Sequence, residues 1–117
     1  MVDYERPPRV LVVEDDALVS EVLRAILDEH YEVVCAASAK EALAELAHRR
    51  ADAVLLDYCL PGGGGRDLAE RAGAPVVWMT GHPDAIRALR EDSRPLLPKP
   101  FDASAVLGTL AGTLAPP

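Results

Sequence analysis

The sequence predicts an α/β fold in which a sheet of five short parallel strands is covered by helices. Apolar runs of about four residues recur along the chain, and the segments between them carry apolar residues at the spacing of helices. This alternation is typical of βαβ units, in which a helix leads from one parallel strand to the next. The 117 residues are enough for one domain with one hydrophobic core.

The first half of the chain is predicted to hold three strands and two helices. The strands cover residues 9–13, 32–36 and 53–56, and the helices cover about residues 17–28 and 39–49. In the first helix two apolar rows are expected to form the buried face: Leu18, Val22 and Ile26, with Val19, Leu23 and Leu27. Ser38 and Glu41 form a capping box at the start of the second helix. The residues of that helix expected to face inward are Leu43, Leu46 and Ala47.

The second half is predicted to hold two strands, two short helices and a longer final helix. The strands cover residues 76–79 and 96–97, and the helices cover about residues 66–72, 84–91 and 103–114. The glycine run at residues 62–65 is interpreted as a flexible connection, because it lacks the lysine and hydroxyl residue of a nucleotide-binding loop. The helix at residues 84–91 has only Ile86 and Leu89 as sizeable apolar residues, so it is expected to be the most mobile element. Asp102 is expected to cap the final helix, whose sheet-facing residues are Val106, Leu107 and Leu110.

Composition and charge argue against a membrane protein and against a nucleic-acid-binding protein. The net charge is −7, and the lysine and arginine residues form no cluster that could follow a phosphate backbone. No apolar run approaches the roughly 20 residues that span a bilayer. Residues 1–8, expected to be a flexible segment before a folded domain at residues 9–115, lack the apolar stretch of a signal peptide. A soluble cytoplasmic protein is therefore expected, in which Cys35 and Cys59 are packing residues and form no disulfide.

Four predicted strands end in residues with reactive side chains. In chain order these are Glu14, Asp15, Asp16, Asp57, Thr80 and Lys99. Because the carboxyl ends of parallel strands share one edge of the sheet, the side chains are expected to meet in one crevice. Carboxylates gathered there repel one another unless a hard cation lies between them, and such a cation favours binding of a phosphoryl group. Asp16 is left out of this cation site because its position suits the N-cap of the first helix.

The same strand ends carry motifs that resemble those of a known family. The motifs are Leu-Val-Val-Glu-Asp-Asp at residues 11–16, Leu-Leu-Asp-Tyr-Cys-Leu-Pro at 55–61 with Gly65, Met-Thr-Gly at 79–81 and Lys-Pro-Phe at 99–101. In this order they resemble the receiver domain of two-component response regulators, the phosphoacceptor module of a phosphorelay. The resemblance implies a doubly wound, flavodoxin-like parallel sheet with the strand order 2-1-3-4-5 and shortened third and fourth helices.

Position by position, the resemblance implies a phosphoacceptor site that works with Mg²⁺. Asp57 would accept a phosphoryl group from the phosphohistidine of a histidine kinase or a histidine phosphotransfer protein. The implied Mg²⁺ ligands are Asp15 directly, Glu14 through water, Asp57, and the backbone carbonyl of Cys59. Lys99 would neutralise one phosphoryl oxygen, and the Thr80 hydroxyl would donate a hydrogen bond to another.

The resemblance also implies roles in tuning, switching and shaping the site. Cys59 and His82 would flank the phosphoryl group and tune its lifetime. Thr80 and Leu96 would form the switch, although receivers usually carry an aromatic residue in the place of Leu96. Gly81 would leave the site uncovered, and the Lys99-Pro100 peptide bond is expected to be cis.

The predicted output is a change in contacts with an unidentified downstream protein, and general enzyme catalysis is not expected. The chain is similar both to small stand-alone receivers and to receivers of hybrid histidine kinases. One alternative is a pseudo-receiver, a binding module that signals without phosphate. Another is an aspartate-nucleophile phosphatase, a class whose Asp-x-Asp motif would place an acid where this chain has Cys59.

Overall fold

The computed structural model describes residues 6–115 and contains a five-stranded parallel sheet. The strands are β1 (Arg9–Val13), β2 (Glu32–Ala36), β3 (Ala53–Asp57), β4 (Val76–Thr80) and β5 (Leu96–Pro98). Their order across the sheet is β2-β1-β3-β4-β5, and every neighbouring pair is parallel. The predicted fold class and strand order are confirmed. Most of the segment predicted to be flexible, residues 1–5, lies outside the described residues.

Five helices connect or follow the strands. They are α1 (Ala17–Leu27), α2 (Ala39–His48), α3 (Gly65–Arg71), α4 (Pro83–Ala88) and α5 (Ala103–Leu114). The helix predicted at residues 84–91 is divided, because α4 ends at Ala88 and the chain continues as a tighter 3₁₀ turn, Leu89–Glu91. Within residues 6–115, no helix is both long enough and apolar enough to cross a membrane.

Side-chain caps fix where three of the helices begin. The carboxylate of Asp16 accepts hydrogen bonds from the backbone N–H groups of Leu18 and Val19, at 2.9 and 3.3 Å. Ser38 accepts from the N–H of Glu41 at 3.1 Å, and Asp102 accepts from the N–H of Ala105 at 2.8 Å. Each bond satisfies a donor that has no partner inside its helix, so all three predicted caps are confirmed.

The hydrophobic core lies in two layers, one on each face of the sheet. The layer beneath α1 and α5 includes four fully buried helix residues: Leu23, Leu27, Val106 and Leu110. The opposite layer lies beneath α2 and α3 and includes Leu68 and Trp78. Strand residues alternate between the layers, so that Val10 and Val12 face one and Leu11 and Val13 face the other. Both faces of the sheet are therefore covered, as continuous apolar strands require.

Two predictions about buried helix faces are wrong. Leu18 is 72% exposed and Val22 is 53% exposed, because α1 packs on the sheet through the row that contains Leu23 and Leu27. In α2, Ala47 is exposed and Ala42 is the fully buried residue. Helical spacing identifies apolar rows, but it does not show which of two adjacent rows the sheet covers.

The loop that leads from β3 to α3 depends on glycine. Gly62, Gly63 and Gly64 have φ angles of 80°, 73° and 86°, in the left-handed region that L residues avoid. A Cβ atom at Gly62 or Gly63 would meet nothing within 4 Å. The backbone conformation, and not the available space, therefore selects glycine at these positions.

Candidate functional site

Strand register brings the predicted site residues to one edge of the sheet. Val13 pairs with Leu56 across β1 and β3, and Asp57 pairs with Met79 across β3 and β4. Glu14, Asp57 and Thr80 end or follow buried strands and are only 2%, 6% and 2% exposed. Buried polar groups are retained where other polar groups surround them, and these three lie together at the carboxyl edge.

Three carboxylates form a cluster at this edge that fits a hard cation. Glu14, Asp15 and Asp57 each offer one oxygen, and these oxygens lie within 4.8 Å of one another. Asp15 is exposed, whereas the other two are buried. Oδ1 of Asp57 also accepts a hydrogen bond from the backbone N–H of Cys59 at 3.0 Å. Oxygen donors are the ligands that Mg²⁺ and Ca²⁺ prefer.

Lys99 reaches into the cluster from the end of β5. Its ammonium group forms an ion pair with Oε1 of Glu14 and lies 3.6 Å from Oδ2 of Asp57. Partial burial acts to lower the pKa of Lys99, but the hydrogen bond to Glu14 and the charge of Asp57 raise it above its ordinary value of 10.5. Lys99 is therefore a stable cation at this edge of the sheet.

Burial and mutual repulsion destabilise the ionised carboxylates of the acidic cluster. The pKa of Glu14 is raised from 4.5 to about 7: burial is the largest cause, the hydrogen bond and charge of Asp57 act in the same direction, and Lys99 opposes them. The nearby ammonium group thus compensates only in part for the removal of the carboxylates from water. A second cation would be favoured at the same place.

Thr80, Cys59 and His82 lie around the opening of the site. Oγ1 of Thr80 accepts a hydrogen bond from the backbone N–H of His82 at 3.2 Å, and it lies 3.9 Å from Sγ of Cys59. His82 itself is exposed, and it precedes α4 without capping that helix through its side chain. Cys35 is partly buried and packs against the core, but Cys59 is exposed because the chain has already left β3 there. The prediction that Cys59 is a packing residue is wrong.

Gly81 has a structural reason that the sequence did not show. A Cβ atom at this position would lie 3.1 Å from the carbonyl oxygen of Lys99 and 3.2 Å from its Cβ. The predicted cis peptide bond between Lys99 and Pro100 is confirmed. Gly81 thus allows the backbone at Lys99 to pass close to the end of β4.

An apolar surface beside the site was missed by the sequence prediction. A cavity of about 440 Å³ lies between α1 and the turn after β5, and it is lined by Leu18, Val19, Val22, Lys99, Pro100 and Phe101. Leu18 and Val22 are the large hydrophobic residues that stand exposed among residues 6–115. Their apolar row was the available signal, but it was assigned to the core. We call this surface the α1 apolar surface.

Comparison with known proteins identifies the family. The family described as the response regulator receiver domain matches residues 10–111, which is most of the chain. The chain therefore belongs to the receiver domains of two-component response regulators.

Similar proteins agree with this assignment. The transcriptional regulatory protein AruR of Pseudomonas aeruginosa is 44% identical over 89 residues, which cover 68% of this chain and 36% of AruR. The DNA-binding response regulator MtrA of Mycobacterium tuberculosis is 31% identical over 114 residues, which cover 91% of this chain and 50% of MtrA. The crystal structure of a putative response regulator from Chloroflexus aurantiacus has a TM-score of 0.83 at 31% identity and covers 95% of this chain and 100% of that chain. The match thus spans a third to a half of the two curated relatives.

Proposed function

We propose that this receiver takes up a phosphoryl group on Asp57 with the help of Mg²⁺ and passes the signal on through protein–protein contacts. The observation that carries the proposal is the placement of Asp57. Its buried carboxylate shares one edge of the sheet with Glu14, Asp15 and Lys99. The two further carboxylates would hold a cation, and that cation and the ammonium group would supply the positive charge that the reaction of two anions requires.

In the proposed reaction, a carboxylate oxygen of Asp57 attacks the phosphorus of a phosphohistidine on a donor protein. The oxygen–phosphorus bond forms while the phosphorus–nitrogen bond breaks, and the imidazole leaves with the electron pair. Lys99, already 3.6 Å from Asp57, neutralises a phosphoryl oxygen. The hydroxyl of Thr80, which accepts a bond from His82 in the free protein, turns to donate to another oxygen. Cys59 and His82 flank this position and control how readily water reaches the phosphorus.

The residues that would hold Mg²⁺ are Glu14, Asp15, Asp57 and the backbone carbonyl of Cys59. The three carboxylates fit the ion because their oxygens are grouped within 4.8 Å and carry more negative charge than Lys99 neutralises. When bound, the ion offsets the negative charge of the carboxylates and of the incoming phosphoryl group.

Labelling with a small phosphodonor tests the proposed function. With Mg²⁺ and acetyl phosphate, the protein is expected to gain one acid-stable, base-labile phosphoryl group, detected by intact mass, because Asp57 becomes an acyl phosphate. Asp57→Asn should abolish this gain. Asp67→Asn, which removes an exposed carboxylate on α3, is the matched control and should label normally. A wild-type protein that takes up neither phosphate nor beryllofluoride would refute the proposal.

The α1 apolar surface is the proposed docking site for the donor protein. The donor must bring its phosphohistidine to Asp57, so it must cover the surroundings of the site, and the exposed apolar part of those surroundings is at Leu18 and Val22. Leu18→Ser should therefore slow transfer from a cognate histidine kinase by about tenfold, as for a central contact residue of an interface.

The control for this docking prediction separates donor contact from chemistry. Labelling of Leu18→Ser by acetyl phosphate should equal that of the wild type, because the small donor needs no apolar surface. Ala47→Ser, at an exposed apolar position on α2, should leave transfer from the kinase unchanged. Equal kinase transfer to Leu18→Ser and wild type would contradict the docking site.

The downstream target is proposed to be a protein surface. AruR and MtrA are named as a transcriptional and a DNA-binding regulator, and the present chain matches only part of each. We do not propose that this chain contacts DNA, because its net charge is −7.

A further inference from the structure

A polar and aromatic cluster on the α3 side of the sheet lies next to the phosphoacceptor. Its members are Tyr58, Arg66, Trp78, Asp92 and Arg94. Tyr58 directly follows Asp57 in the sequence, whereas Asp92 and Arg94 belong to residues 89–95, the segment between α4 and β5. We call residues 89–95 the β5-approach segment.

Asp92 ties this segment to the core. Its side chain is 7% exposed and accepts a hydrogen bond from the indole N–H of Trp78 at 3.3 Å. It also accepts from the backbone N–H of Arg94 at 2.9 Å and from the guanidinium of Arg94 at 3.0 Å. A buried carboxylate persists only where donors of this kind replace water. Asp92 therefore fixes the middle of the segment, while its ends are held by the buried side chain of Leu89 and by the carbonyl of Pro95, which accepts from the backbone N–H of Trp78 at 2.9 Å.

Trp78 connects Asp92 with the phosphoacceptor. Its ring is fully buried and lies edge-on to Tyr58, with ring centroids 5.4 Å apart and an interplanar angle of 79°. Trp78 and Thr80 are two residues apart on β4, so their side chains leave the same face of the strand. Trp78 also pairs in register with Leu96, the position that lacks an aromatic side chain. The large ring beside the threonine is thus on β4 and not on β5.

The hydrogen bond from Trp78 to Asp92 is suited to breaking. At 3.3 Å it is longer than the usual N–H···O bond of about 2.9–3.0 Å. One residue separates Thr80 from Trp78 on β4, so a shift of the end of this strand toward a phosphoryl group on Asp57 would also move the indole. A small displacement of the indole therefore lengthens a bond that is already long.

We propose that the Trp78–Asp92 hydrogen bond is a latch that holds the β5-approach segment against α3 until Asp57 is phosphorylated. The proposal rests on the proposed function, since the phosphoryl group is what moves Thr80. In the free protein the latch is closed, and Arg94 extends the contact to Glu70 of α3 at 3.5 Å. With the phosphoryl group in place the indole withdraws, Asp92 loses one donor, and the middle of the segment around Asp92 is released from the core.

Hydrogen exchange of the Trp78 indole N–H, followed by NMR, and tryptophan fluorescence test the latch. Trp78 is the one tryptophan of the chain, so both signals report the indole directly. In the wild type, Mg²⁺ with beryllofluoride should shift the emission and make the indole N–H exchange about tenfold faster, because its hydrogen bond to the Asp92 carboxylate is lost. In Asp92→Ala the indole N–H should exchange at the fast rate without beryllofluoride and change less than about twofold on its addition.

Two further variants complete the experiment. Asp92→Asn keeps the shape of the side chain and removes its charge. If Asp92→Ala does not fold, Asp92→Asn should show the same changes in exchange rate with a smaller magnitude. Glu91→Gln, at the exposed acid next to Asp92, should behave as the wild type.

The outcomes separate the latch from the proposed function. If intact mass shows that Asp57 takes up phosphate, but the exchange of the wild-type Trp78 indole N–H and the Trp78 emission do not respond to beryllofluoride, the latch is refuted and the phosphoacceptor stands. The latch also fails if the Asp92 variants respond to beryllofluoride as strongly as the wild type. If Asp57 takes up no phosphate, the proposed function fails, and the switch built on it fails as well.

Discussion

Gly81 stands between the two side chains that would contact the phosphoryl group from β4 and β5. A Cβ atom there would lie closer to the backbone and Cβ of Lys99 than ordinary packing allows, at 3.1 and 3.2 Å. Gly81→Val should therefore displace Lys99 and lower the rate of labelling by acetyl phosphate at least tenfold, whereas Gly81→Ala should have a smaller effect. Misplacing a charged group by a fraction of an ångström is enough for a change of about this size.

Gly108 supplies the control for this prediction. It lies inside α5, and a Cβ atom there would meet nothing within 4 Å. Gly108→Ala should leave labelling unchanged and stabilise the protein by about 0.5–1 kcal/mol, because alanine favours a helix. Normal labelling of Gly81→Val would show that Lys99 tolerates a side chain at position 81.

At the level of single residues, sequence reasoning located the strand-end groups but not their surroundings. Glu14, Asp57, Thr80 and Lys99 follow apolar strands, and parallel strands must place them at one edge. The contact between Gly81 and Lys99 and the exposure of Cys59 depend on how loops leave the sheet. Loop paths have no periodic signal in the sequence, so these features could not be predicted.

Among the helices, α4 has the weakest anchoring. It has six residues, Ala85 is its buried residue, and its first turn receives no side-chain cap. Backbone amides of residues 84–88 are therefore expected to exchange at least about tenfold faster than those in the middle of α1 and α5, as measured by hydrogen exchange. Protection of α4 equal to that of α5 would contradict the expectation that it is the most mobile element.

The N-cap of α5 tests how much one capping side chain protects the start of a helix. Asp102→Ala removes the acceptor for the N–H of Ala105, which costs about 1 kcal/mol. The first turn of α5 should then exchange several times faster, while its buried residues Val106 and Leu110 keep the rest of the helix protected.

Helix boundaries followed well from capping residues, whereas helix faces followed only in part: the predicted face of α5 packs on the core, but Leu18 and Val22 of α1 are exposed. Asp16, Ser38 and Asp102 are recognisable caps because few side chains can accept from a free N–H at the start of a helix. The face of α1 is different, because six apolar residues form two adjacent rows. Only packing against the sheet and α5 decides that Leu18 and Val22 remain outside.

For the molecule as a whole, two carboxylates with opposite pKa shifts shape the dependence of stability on pH in metal-free buffer. Glu14 has a raised pKa of about 7, mainly because it is buried, so its folded state prefers the protonated form. Its contribution to stability is complete below the unfolded pKa of 4.5 and is lost as pH rises through about 7. Between about pH 5 and 8, the wild type should lose on the order of 1–3 kcal/mol relative to Glu14→Gln.

Asp92 acts at the acid end of the same profile. Burial acts to raise the pKa of Asp92, but hydrogen bonds from Arg94 and Trp78 outweigh burial and lower it below its ordinary value of 3.8. The stability that Asp92 contributes is present above that value and is lost as pH falls through the lowered pKa. Urea unfolding at several pH values measures the alkaline limb of the stability profile, set by Glu14, and the acid limb, set by Asp92. Asp92→Asn should flatten the acid limb.

Addition of Mg²⁺ distinguishes the two limbs. At the proposed site the ion would favour the ionised form of Glu14, so Mg²⁺ should restore stability near pH 8 and leave the acid limb unchanged. Parallel pH profiles for wild type and Glu14→Gln would contradict the shift assigned to Glu14.

The tandem glycines after β3 have one more consequence. A Cβ atom at Gly62 or Gly63 would have no neighbour within 4 Å, so there is space for a side chain at both positions. Their positive φ angles say the reverse, since an L residue would carry about 1–2 kcal/mol of strain at each. A D-amino acid adopts positive φ angles without this strain. A semisynthetic protein with D-alanine at position 62 should fold as well as the natural chain, because this loop is specified by chirality and not by its neighbours.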